Sequence, residues 1–374
     1  MSNDRDGRGS LRAQGPLPLP LRWIELRSDT FTKPTPAMRR AMADAAVGDD
    51  QYGEDPTVNR LEKRASEIVG KEAGVYVPSG MMGNLCGVLS QTQRGDEVIL
   101  GDLAHIVQNE MGACFVLGGV VPRLVPNRDA LPSLEDLGTA VRPQGMYPRA
   151  SLVCLENSHN NCGGAVITAA QTKSVADFAH ARGMRVHLDG ARIFNAAAAL
   201  GVDPRDLVRD VDTVQFCFSK GLAAPVGSIL CGDAETVAKS RRVRKMLGGA
   251  MRQAGVIAAA ALVGLEEMRD RLAEDHRNAR RLADGLAQIA GVRIDAAKVV
   301  TNIVSFEIDP AVMEPGAFQK ACAEKSLRIS RYLGNSPRLR AVTHVDVSRD
   351  DIDAALEIAR SVLVSARAFV GAAR

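Results

Sequence analysis

The chain has 374 residues, of which 46% are hydrophobic and 24% charged, and its formal net charge is +3. This length allows a large core and two domains, and the composition is that of an ordinary globular protein. The small net charge gives no basis for nucleic-acid binding, and no apolar run approaches the roughly 20 residues of a membrane span. We therefore expect neither a nucleic-acid nor a membrane partner.

The first residues of the chain predict no folded element. Residues 1–20 are polar and rich in glycine, proline and arginine, and they lack the apolar stretch of a secretory signal. We expect a disordered extension over residues 1–23 and a cytoplasmic protein. The seven cysteines agree with a reducing compartment, because their number is odd and no Cys-x-x-Cys pair occurs. No metal site is expected.

From residue 56 onward, short apolar runs alternate with helical patterns. Within Pro56–Val69, for example, Val58, Leu61 and Ala65 recur at helical spacing. Strands are predicted at residues 74–77, 97–100, 151–155, 184–188, 213–218 and 228–231. Apolar strands that alternate with helices predict an α/β fold in which helices cover a mostly parallel sheet.

The pattern changes after residue 265. A charged helical stretch over residues 266–288 leads to strand patterns at 302–308, 327–332 and 339–344, and then to a last helix. Ser348 and Asp351 form a capping signature at the start of that helix. We expect a large domain over residues 24–265, a small C-terminal domain over residues 266–374, and the functional site between them.

Two charged residues stand at the ends of predicted buried strands. Asp189 follows the strand at 184–188, and Lys220 follows the strand at 213–218. A lysine at a buried strand end is costly unless its amine is used. Lysine can hold pyridoxal phosphate as a Schiff base, while an aspartate pairs with the pyridine nitrogen of that cofactor. Alone, Asp189 would also suit a helix N-cap and Lys220 an exposed position; together they favour the cofactor.

A Ser79-Gly80 turn follows the strand at 74–77 and opens a helical run. Backbone N–H groups at such a helix start bind phosphate. The same residues also suit an ordinary strand–helix turn, and this turn alone does not decide between the two.

Seven ordered segments between residues 25 and 364 carry longer motifs. They are Leu26-Arg-Ser-Asp-Thr30, Val47-Gly-Asp-Asp-Gln-Tyr-Gly-Glu-Asp-Pro-Thr57, Glu156-Asn-Ser-His159, His187-Leu-Asp-Gly-Ala-Arg-Ile-Phe-Asn195, Ser219-Lys-Gly-Leu222, Arg244-Lys-Met-Leu-Gly-Gly-Ala-Met-Arg-Gln253 and Arg340-Ala-Val-Thr-His344. Through them the chain resembles the low-specificity L-threonine aldolases of the threonine aldolase and beta-eliminating lyase family. The resemblance implies pyridoxal 5'-phosphate as cofactor, the aspartate-aminotransferase-like fold type I, and a homo-oligomer, a dimer of dimers, whose subunits share each active site.

The resemblance also assigns residues to the cofactor. Lys220 would form the Schiff base, Asp189 would pair with the pyridine nitrogen, and His105 would stack on the ring and approach the substrate hydroxyl. Lys245 and Arg252 would reach the phosphate from a neighbouring subunit. The implied cofactor contacts are Ser79, Gly80, Met81, His105, Asp189, Arg192, Lys220, Lys245 and Arg252.

Three residues match positions near the substrate carboxylate in that family: Ser28, Arg192 and Arg340. The planar fork of arginine binds a carboxylate with two hydrogen bonds. For Arg340 a surface ion pair is the alternative, but its strand is otherwise apolar.

Three further histidines are not assigned to the cofactor or the substrate. His159 is expected to be a hydrogen-bonded structural residue near the site, and His180 and His276 are expected to be solvated, because they lie in charged helical segments.

Four positions depart from the family pattern. Met81 replaces a threonine, which removes one hydroxyl contact to the phosphate, and Ala223 and Ala250 stand where glycine is usual. Met146 occupies the position of a second active-site histidine, and methionine cannot accept a proton.

The implied reaction is retro-aldol cleavage of threonine, allo-threonine or a related β-hydroxy-α-amino acid to glycine and an aldehyde. Two related activities stay open, an aldolase for a bulkier substrate and a β-eliminating lyase, because Met146 would make the pocket more apolar. The sequence is also compatible with a cofactor-binding protein that has little catalytic activity, and with an interaction protein that binds no cofactor.

Overall fold

The computed structural model describes residues 22–127, 129–143, 145–332 and 336–372. Most of the extension predicted over residues 1–23 lies outside this part of the chain. Among the described residues, no helix is both long and apolar enough to cross a membrane.

Strands and helices alternate through most of the described chain. The strands are β1 (Ile24–Glu25), β2 (Ala73–Val77), β3 (Glu97–Gly101), β4 (Val121–Val125), β5 (Ala150–Glu156), β6 (Arg185–Asp189), β7 (Thr213–Cys217), β8 (Ser228–Gly232), β9 (Val292–Arg293), β10 (Ile303–Ile308), β11 (Leu327–Arg328), β12 (Ser330–Arg331) and β13 (Arg338–Val342). The α-helices are α1 (Pro36–Ala43), α2 (Pro56–Val69), α3 (Gly80–Leu89), α4 (His105–Gln108), α5 (Ala113–Gly118), α6 (Leu134–Ala140), α7 (Ala169–His180), α8 (Ile193–Leu200), α9 (Pro204–Val208), α10 (Ala234–Met246), α11 (Gly255–Glu267), α12 (Leu272–Ala287), α13 (Pro315–Glu324) and α14 (Arg349–Ala372).

A seven-stranded sheet forms the centre of the fold. Its strand order is β2-β8-β7-β6-β5-β3-β4. The pairs from β4 through β7 are parallel, and β8 runs antiparallel to both of its neighbours. The predicted α/β fold with a mostly parallel sheet is thus confirmed. Because β3, β5, β6 and β7 are parallel, their carboxyl ends meet at one edge, where ligands of such sheets bind.

The edge strand β4 was not predicted from the sequence. It contains Pro122, and most of its residues are exposed or half-buried. Proline is tolerated in an edge strand because one side of that strand needs no ladder hydrogen bond. Its sequence therefore lacks the apolar run that marks the central strands.

A second sheet lies in the C-terminal part of the chain. It has four antiparallel strands in the order β12-β13-β10-β9. The first strand of the chain belongs with this region, since β1 pairs with β11 and Leu26 packs in the same apolar cluster as Phe306 and Leu339. Residues 24–26 therefore pack with the C-terminal unit and not with the large sheet, which differs from the predicted boundary at residue 24.

Capping residues marked two helix starts in the sequence, whereas one interruption between helices had no local signal. Helix α2 spans the predicted Pro56–Val69, and Asp55 caps it by accepting from the N–H of Val58 at 3.0 Å. Ser348 caps α14 by accepting from the N–H of Asp351 at 3.1 Å. The helical stretch predicted over residues 266–288 is interrupted, because α11 ends at Glu267 and α12 begins at Leu272. That turn contains no glycine or proline that would have signalled it.

Candidate active site

A cavity of about 380 Å³ opens at the carboxyl edge of the large sheet. This volume lies in the range of small-molecule sites. The cavity brings together six of the residues singled out in the sequence: Ser79, Gly80, Met81, His105, Asp189 and Lys220.

Asp189 is the last residue of β6 and is buried. Its Oδ1 accepts from Gln215 Nε2 at 2.7 Å and from the N–H of Ala191 at 3.1 Å, and its Oδ2 accepts from Asn84 Nδ2 at 2.9 Å. Burial opposes ionisation, but the charges of His105 and Lys220 and these donors outweigh it, so the pKa of Asp189 lies below its ordinary value. The cavity therefore contains a buried carboxylate that stays ionised.

His105 begins α4 beside the cavity. Its Nδ1 lies 2.8 Å from Glu110 Oε1, and its backbone N–H donates to Glu156 Oε2 at 2.7 Å. Burial lowers the pKa of His105. The hydrogen bond to Glu110 and the charges of Asp189 and Glu156 raise it by more, so the net shift of this pKa is upward. In the neutral ring, Nδ1–H donates to Glu110 and Nε2 keeps the lone pair that accepts a proton.

Asn84, in the second turn of α3, links the two carboxylates. Its Nδ2 donates to Glu110 Oε1 at 2.7 Å as well as to Asp189, and its Oδ1 accepts from His187 Nε2 at 3.1 Å. His187 is held in turn by Thr213 Oγ1 at 2.8 Å, and burial lowers the pKa of His187 to about 4. The neutral His187 thereby fixes the orientation of the Asn84 amide.

His105, Glu110 and Asp189 also offer three ligand atoms within 4.8 Å of one another, as a metal site would. The amide of Asn84 argues against that use, since its N–H groups already donate to both carboxylates. A cation between the carboxylates would face these N–H dipoles. The donor set suits a hydrogen-bonded network better than a metal ion.

The start of α3 presents backbone donors to the same cavity. Ser79 caps the helix by accepting from the N–H of Met82 at 3.2 Å. Within the described chain, the N–H groups of Gly80 and Met81 donate to no protein acceptor. A Cβ at Gly80 would lie 2.8 Å from Cys217 Sγ, so glycine lets the helix begin close to β7. This arrangement suits an anion such as a phosphate.

Lys220 lies three residues beyond β7, where a short turn holds its backbone. Its carbonyl accepts from Thr32 Oγ1 at 3.1 Å and from the N–H of Ala223 at 2.8 Å. Its amine donates to no residue in the described chain and faces the cavity. Ala223 has φ +59°, in the left-handed region that favours glycine, so the departure noted in the sequence falls on a strained backbone position.

Arg192 and Arg340 meet at Asn160; none of these three residues lines the cavity, although Ala191, next to Arg192, does. Arg192 is buried and forms a double hydrogen bond with Asp29, with both N–O distances at 2.7 Å. Arg340 donates from Nη1 to Asn160 Oδ1 at 2.8 Å and has no carboxylate partner among the described residues. Ser28 caps the turn Asp29–Phe31 by accepting from the N–H of Thr30 at 3.2 Å. Arg192 thus already has a carboxylate partner, while Arg340 has none among the described residues.

Lys245 and Arg252 do not line the cavity. Lys245 lies in the last turn of α10 and is exposed. Arg252 is exposed and pairs with Asp49 at 3.0 Å. The predicted contact of Lys245 and Arg252 with a cofactor is therefore not formed by the walls of this cavity in one chain.

The structure places Met146 and His159 in surroundings that differ from those expected from the sequence. Met146 is 81% exposed and does not line the cavity, so the structure does not bring it to the walls that this chain forms. His159 is buried, but among the described residues neither ring nitrogen has a hydrogen-bond partner. Its Nε2 lies 3.7 Å from Glu156 Oε2, and the oxygens of Glu156 already accept from the N–H groups of His105 and Asn160. The prediction of a hydrogen-bonded His159 is therefore wrong.

The two histidines placed in charged helices differ from each other. His180 is exposed and pairs with Asp212 at 2.9 Å. His276 is half-buried, its Nε2 lies 3.1 Å from Asn195 Nδ2, and burial lowers its pKa to about 4. The expectation of a solvated His276 is wrong because α12 packs this side chain toward α8.

Residues 25–309 match the family model described as Beta-eliminating lyase. The chain is 45% identical to Low-specificity L-threonine aldolase 1 of Arabidopsis thaliana over 338 residues, which cover 89% of this chain and 94% of the relative. It is 39% identical to Low specificity L-threonine aldolase of Escherichia coli (strain K12) over 88% of this chain and 96% of the relative. The chain belongs to the threonine aldolase and beta-eliminating lyase family. The resemblance stated from the sequence motifs is confirmed.

Solved structures extend this family assignment to the fold. The threonine aldolase of Leishmania major aligns with a TM-score of 0.77 at 17% identity, covering 90% of this chain and 98% of that one. The fold type I expectation is confirmed.

The cavity fits pyridoxal phosphate, the cofactor expected for the threonine aldolase family. An unpaired amine, an ionised buried carboxylate and a helix start with free N–H groups suit its aldehyde, pyridine nitrogen and phosphate. The sequence did not reveal Asn84, Glu110, Asn160 and Gln215. Only Gln215 carried a local signal, a polar residue within the apolar strand that leads to Lys220.

Proposed function

We propose that this protein cleaves L-threonine, L-allo-threonine or related β-hydroxy-α-amino acids to glycine and an aldehyde, with pyridoxal phosphate as cofactor. For threonine the aldehyde is acetaldehyde. The observation that carries the proposal is one cavity that contains the Lys220 amine, the ionised Asp189 and the His105 base. The curated relatives named as threonine aldolases support the same reaction.

Each of these cavity residues would have a separate role in the reaction. Lys220 would hold the cofactor covalently, Asp189 would keep a proton on its pyridine nitrogen, and the N–H groups of Gly80 and Met81 would bind its phosphate. The bound cofactor supplies an electron sink for the electrons of the Cα–Cβ bond. His105 would accept the β-hydroxyl proton at Nε2, because Glu110 holds Nδ1.

The substrate carboxylate would lie at Arg340. Its guanidinium has no carboxylate partner in the described chain, and its Nε is buried without an acceptor. Burial and the neighbouring charge of Arg192 lower the pKa of Arg340. A carboxylate arriving here would relieve both conditions, because it supplies acceptors and the opposite charge.

The proposal includes a homo-oligomer with shared sites. Lys245 and Arg252 are exposed, and a second cavity of about 510 Å³ lies beside Lys245 and Tyr52. Basic residues on this surface could complete the phosphate site of a neighbouring subunit. We also place the protein in the cytoplasm, since its seven cysteines are free thiols.

Assays of threonine, allo-threonine and phenylserine with added cofactor test the function. Glycine and the matching aldehyde should appear in equal amounts. Lys220→Ala should lose the cofactor absorbance band and this cleavage, whereas Lys239→Ala, a change on the exposed face of α10, should keep both. Ammonia release without glycine would indicate a β-eliminating lyase instead. A preference for phenylserine would indicate an aldolase for bulkier substrates.

A further inference from the structure

The oxygen of one buried amide lies between two guanidinium groups. Asn160 Oδ1 accepts from Arg340 Nη1 at 2.8 Å and from Arg192 Nη1 at 3.4 Å. Two adjacent guanidinium groups repel each other, and a carboxylate between them can compensate their positive charges. Here the shared acceptor is neutral.

The orientation of the Asn160 side chain follows from its other contacts. Asn160 Nδ2 donates to Asn161 Oδ1 at 3.1 Å, and the backbone N–H of Asn160 donates to Glu156 Oε1 at 2.7 Å. A flipped amide would point its N–H groups at two guanidinium donors. Because Asn160 is buried, its amide needs protein partners, and in this orientation the atom that contacts the two arginines is its oxygen.

The two arginines differ in charge compensation. Asp29 neutralises Arg192 through its double hydrogen bond and itself accepts from Asn302 Nδ2 at 3.2 Å. Among the residues that the structure describes, Arg340 donates only to neutral oxygens, the Oδ1 of Asn160 and the carbonyl of Arg27 at 3.2 Å. An aspartate at position 160 would neutralise Arg340, whereas asparagine fixes it in place without doing so.

We propose that Asn160 is a positioning residue that presents Arg340 to the substrate carboxylate with its positive charge uncompensated. This role rests on the proposed function. It predicts that the charge at residue 160, and not only its shape, sets the affinity for amino acids.

Asn160→Asp tests the role because it keeps the shape and adds a negative charge. Glycine binding to the cofactor-loaded protein, followed through the cofactor absorbance, should weaken on the order of tenfold. The KM for threonine should rise by a similar factor while kcat stays within about threefold. Gln171→Glu is the matched control, since this exposed residue of α7 keeps the oxygen that accepts from the N–H of Thr168, and the variant should bind glycine as the wild type does.

Threoninamide and glycinamide lack the carboxylate. Their binding distinguishes a loss of the charge interaction with Arg340 from a general distortion of the site. Asn160→Asp should bind glycinamide as well as the wild type does, so the preference for the carboxylate substrate falls. Equal losses for glycine and glycinamide would overturn the role, because they would indicate a distorted site. Asn160→Ala covers the case in which the aspartate variant does not fold; it should also weaken glycine binding selectively, by less than the aspartate.

Failure of this role differs from failure of the proposed function. A wild-type protein that cleaves threonine, together with an Asn160→Asp variant of unchanged glycine affinity, would overturn only the role of Asn160. A wild-type protein that takes up no cofactor and cleaves no β-hydroxy amino acid would overturn both.

Discussion

Glu110 determines which nitrogen of His105 can accept a proton. The side chain is buried, and burial raises the pKa of Glu110; the hydrogen bond from His105 lowers it by less, so the net shift is upward. Its Oε1 accepts hydrogen bonds from His105 Nδ1 and Asn84 Nδ2, and its buried Oε2 has no hydrogen-bond partner in the described part of the chain. A carboxylate in this position holds the imidazole in one tautomer and stabilises its protonated form.

Glu110→Gln should move the acid limb of the kcat/KM profile to lower pH by on the order of one unit. Burial lowers the pKa of His105, and the hydrogen bond to Glu110 is the largest influence that opposes it. Asp189 and Glu156 still raise this pKa in the variant, and Lys220 still lowers it. With a lower pKa, His105 stays neutral to lower pH and keeps its capacity to accept a proton.

The pH profile of threonine cleavage measures this shift. Glu135→Gln, a change at an exposed position of α6, removes the same charge far from the ring network and should leave the limb in place. An acid limb at the wild-type pH in Glu110→Gln would mean that Glu110 does not set the charge of His105.

At the scale of elements, the site depends on how closely α3 packs against the central strands. A Cβ at Gly87 would lie 2.4 Å from His187 Cε1 and 2.6 Å from its Nδ1. Glycine at this position leaves room for the ring that orients Asn84. The packing of one helix thus fixes the amide that joins Glu110 to Asp189.

Gly87→Ala should lower the free energy of unfolding by about 1–3 kcal/mol, because the added methyl group displaces the buried His187 ring. Gly138→Ala is the control: Gly138 lies within α6, and a Cβ there meets no atom within 4 Å. It should stabilise the protein by about 0.5–1 kcal/mol, since alanine has the higher helix propensity. Urea unfolding measures both. A Gly87→Ala protein as stable as Gly138→Ala would show that His187 has room to move.

The sequence predicted strands and the residues that directly follow them, because the signals for these features are local. Buried strands appear as apolar runs, and Asp189 and Lys220 could be recognised because they directly follow such runs. Asn84 could not, since its partners Glu110 and Asp189 are 26 and 105 positions away and meet it only through the packing of α3. Asn160 was hidden for the same reason, because its two arginines lie 32 and 180 positions along the chain.

At the scale of the whole molecule, the cavity of one chain contains only part of the expected phosphate site. The N–H groups at the start of α3 lie in it, but the basic residues Lys245 and Arg252 lie outside. Both cations lie close in the sequence to the buried Arg244, which pairs with Asp50 at 3.0 Å. The proposed shared site of a homo-oligomer would give these exposed cations a role. In such an assembly each cavity would receive its catalytic and basic residues from different chains.

Mixing two inactive variants tests this arrangement. One carries Lys220→Ala, and the other carries Lys245→Ala together with Arg252→Ala. In a mixed dimer with shared sites, one site has both defects and the other has none. Random reassociation of equal amounts should therefore restore about one quarter of the wild-type cleavage rate. The measurement is acetaldehyde release after the two proteins are unfolded and refolded together.

Refolding each variant alone gives the baseline, and refolding Lys220→Ala with Lys239→Ala gives the control. Lys239 lies on α10 and pairs with Glu235 at 2.8 Å on the exposed surface. Its variant should keep its own activity on mixing, without gain. No recovery from the two inactive variants, in refolded material that is demonstrably mixed, would place all functional residues of a site in one chain, because only a site drawn from two chains can be rebuilt from two different defects.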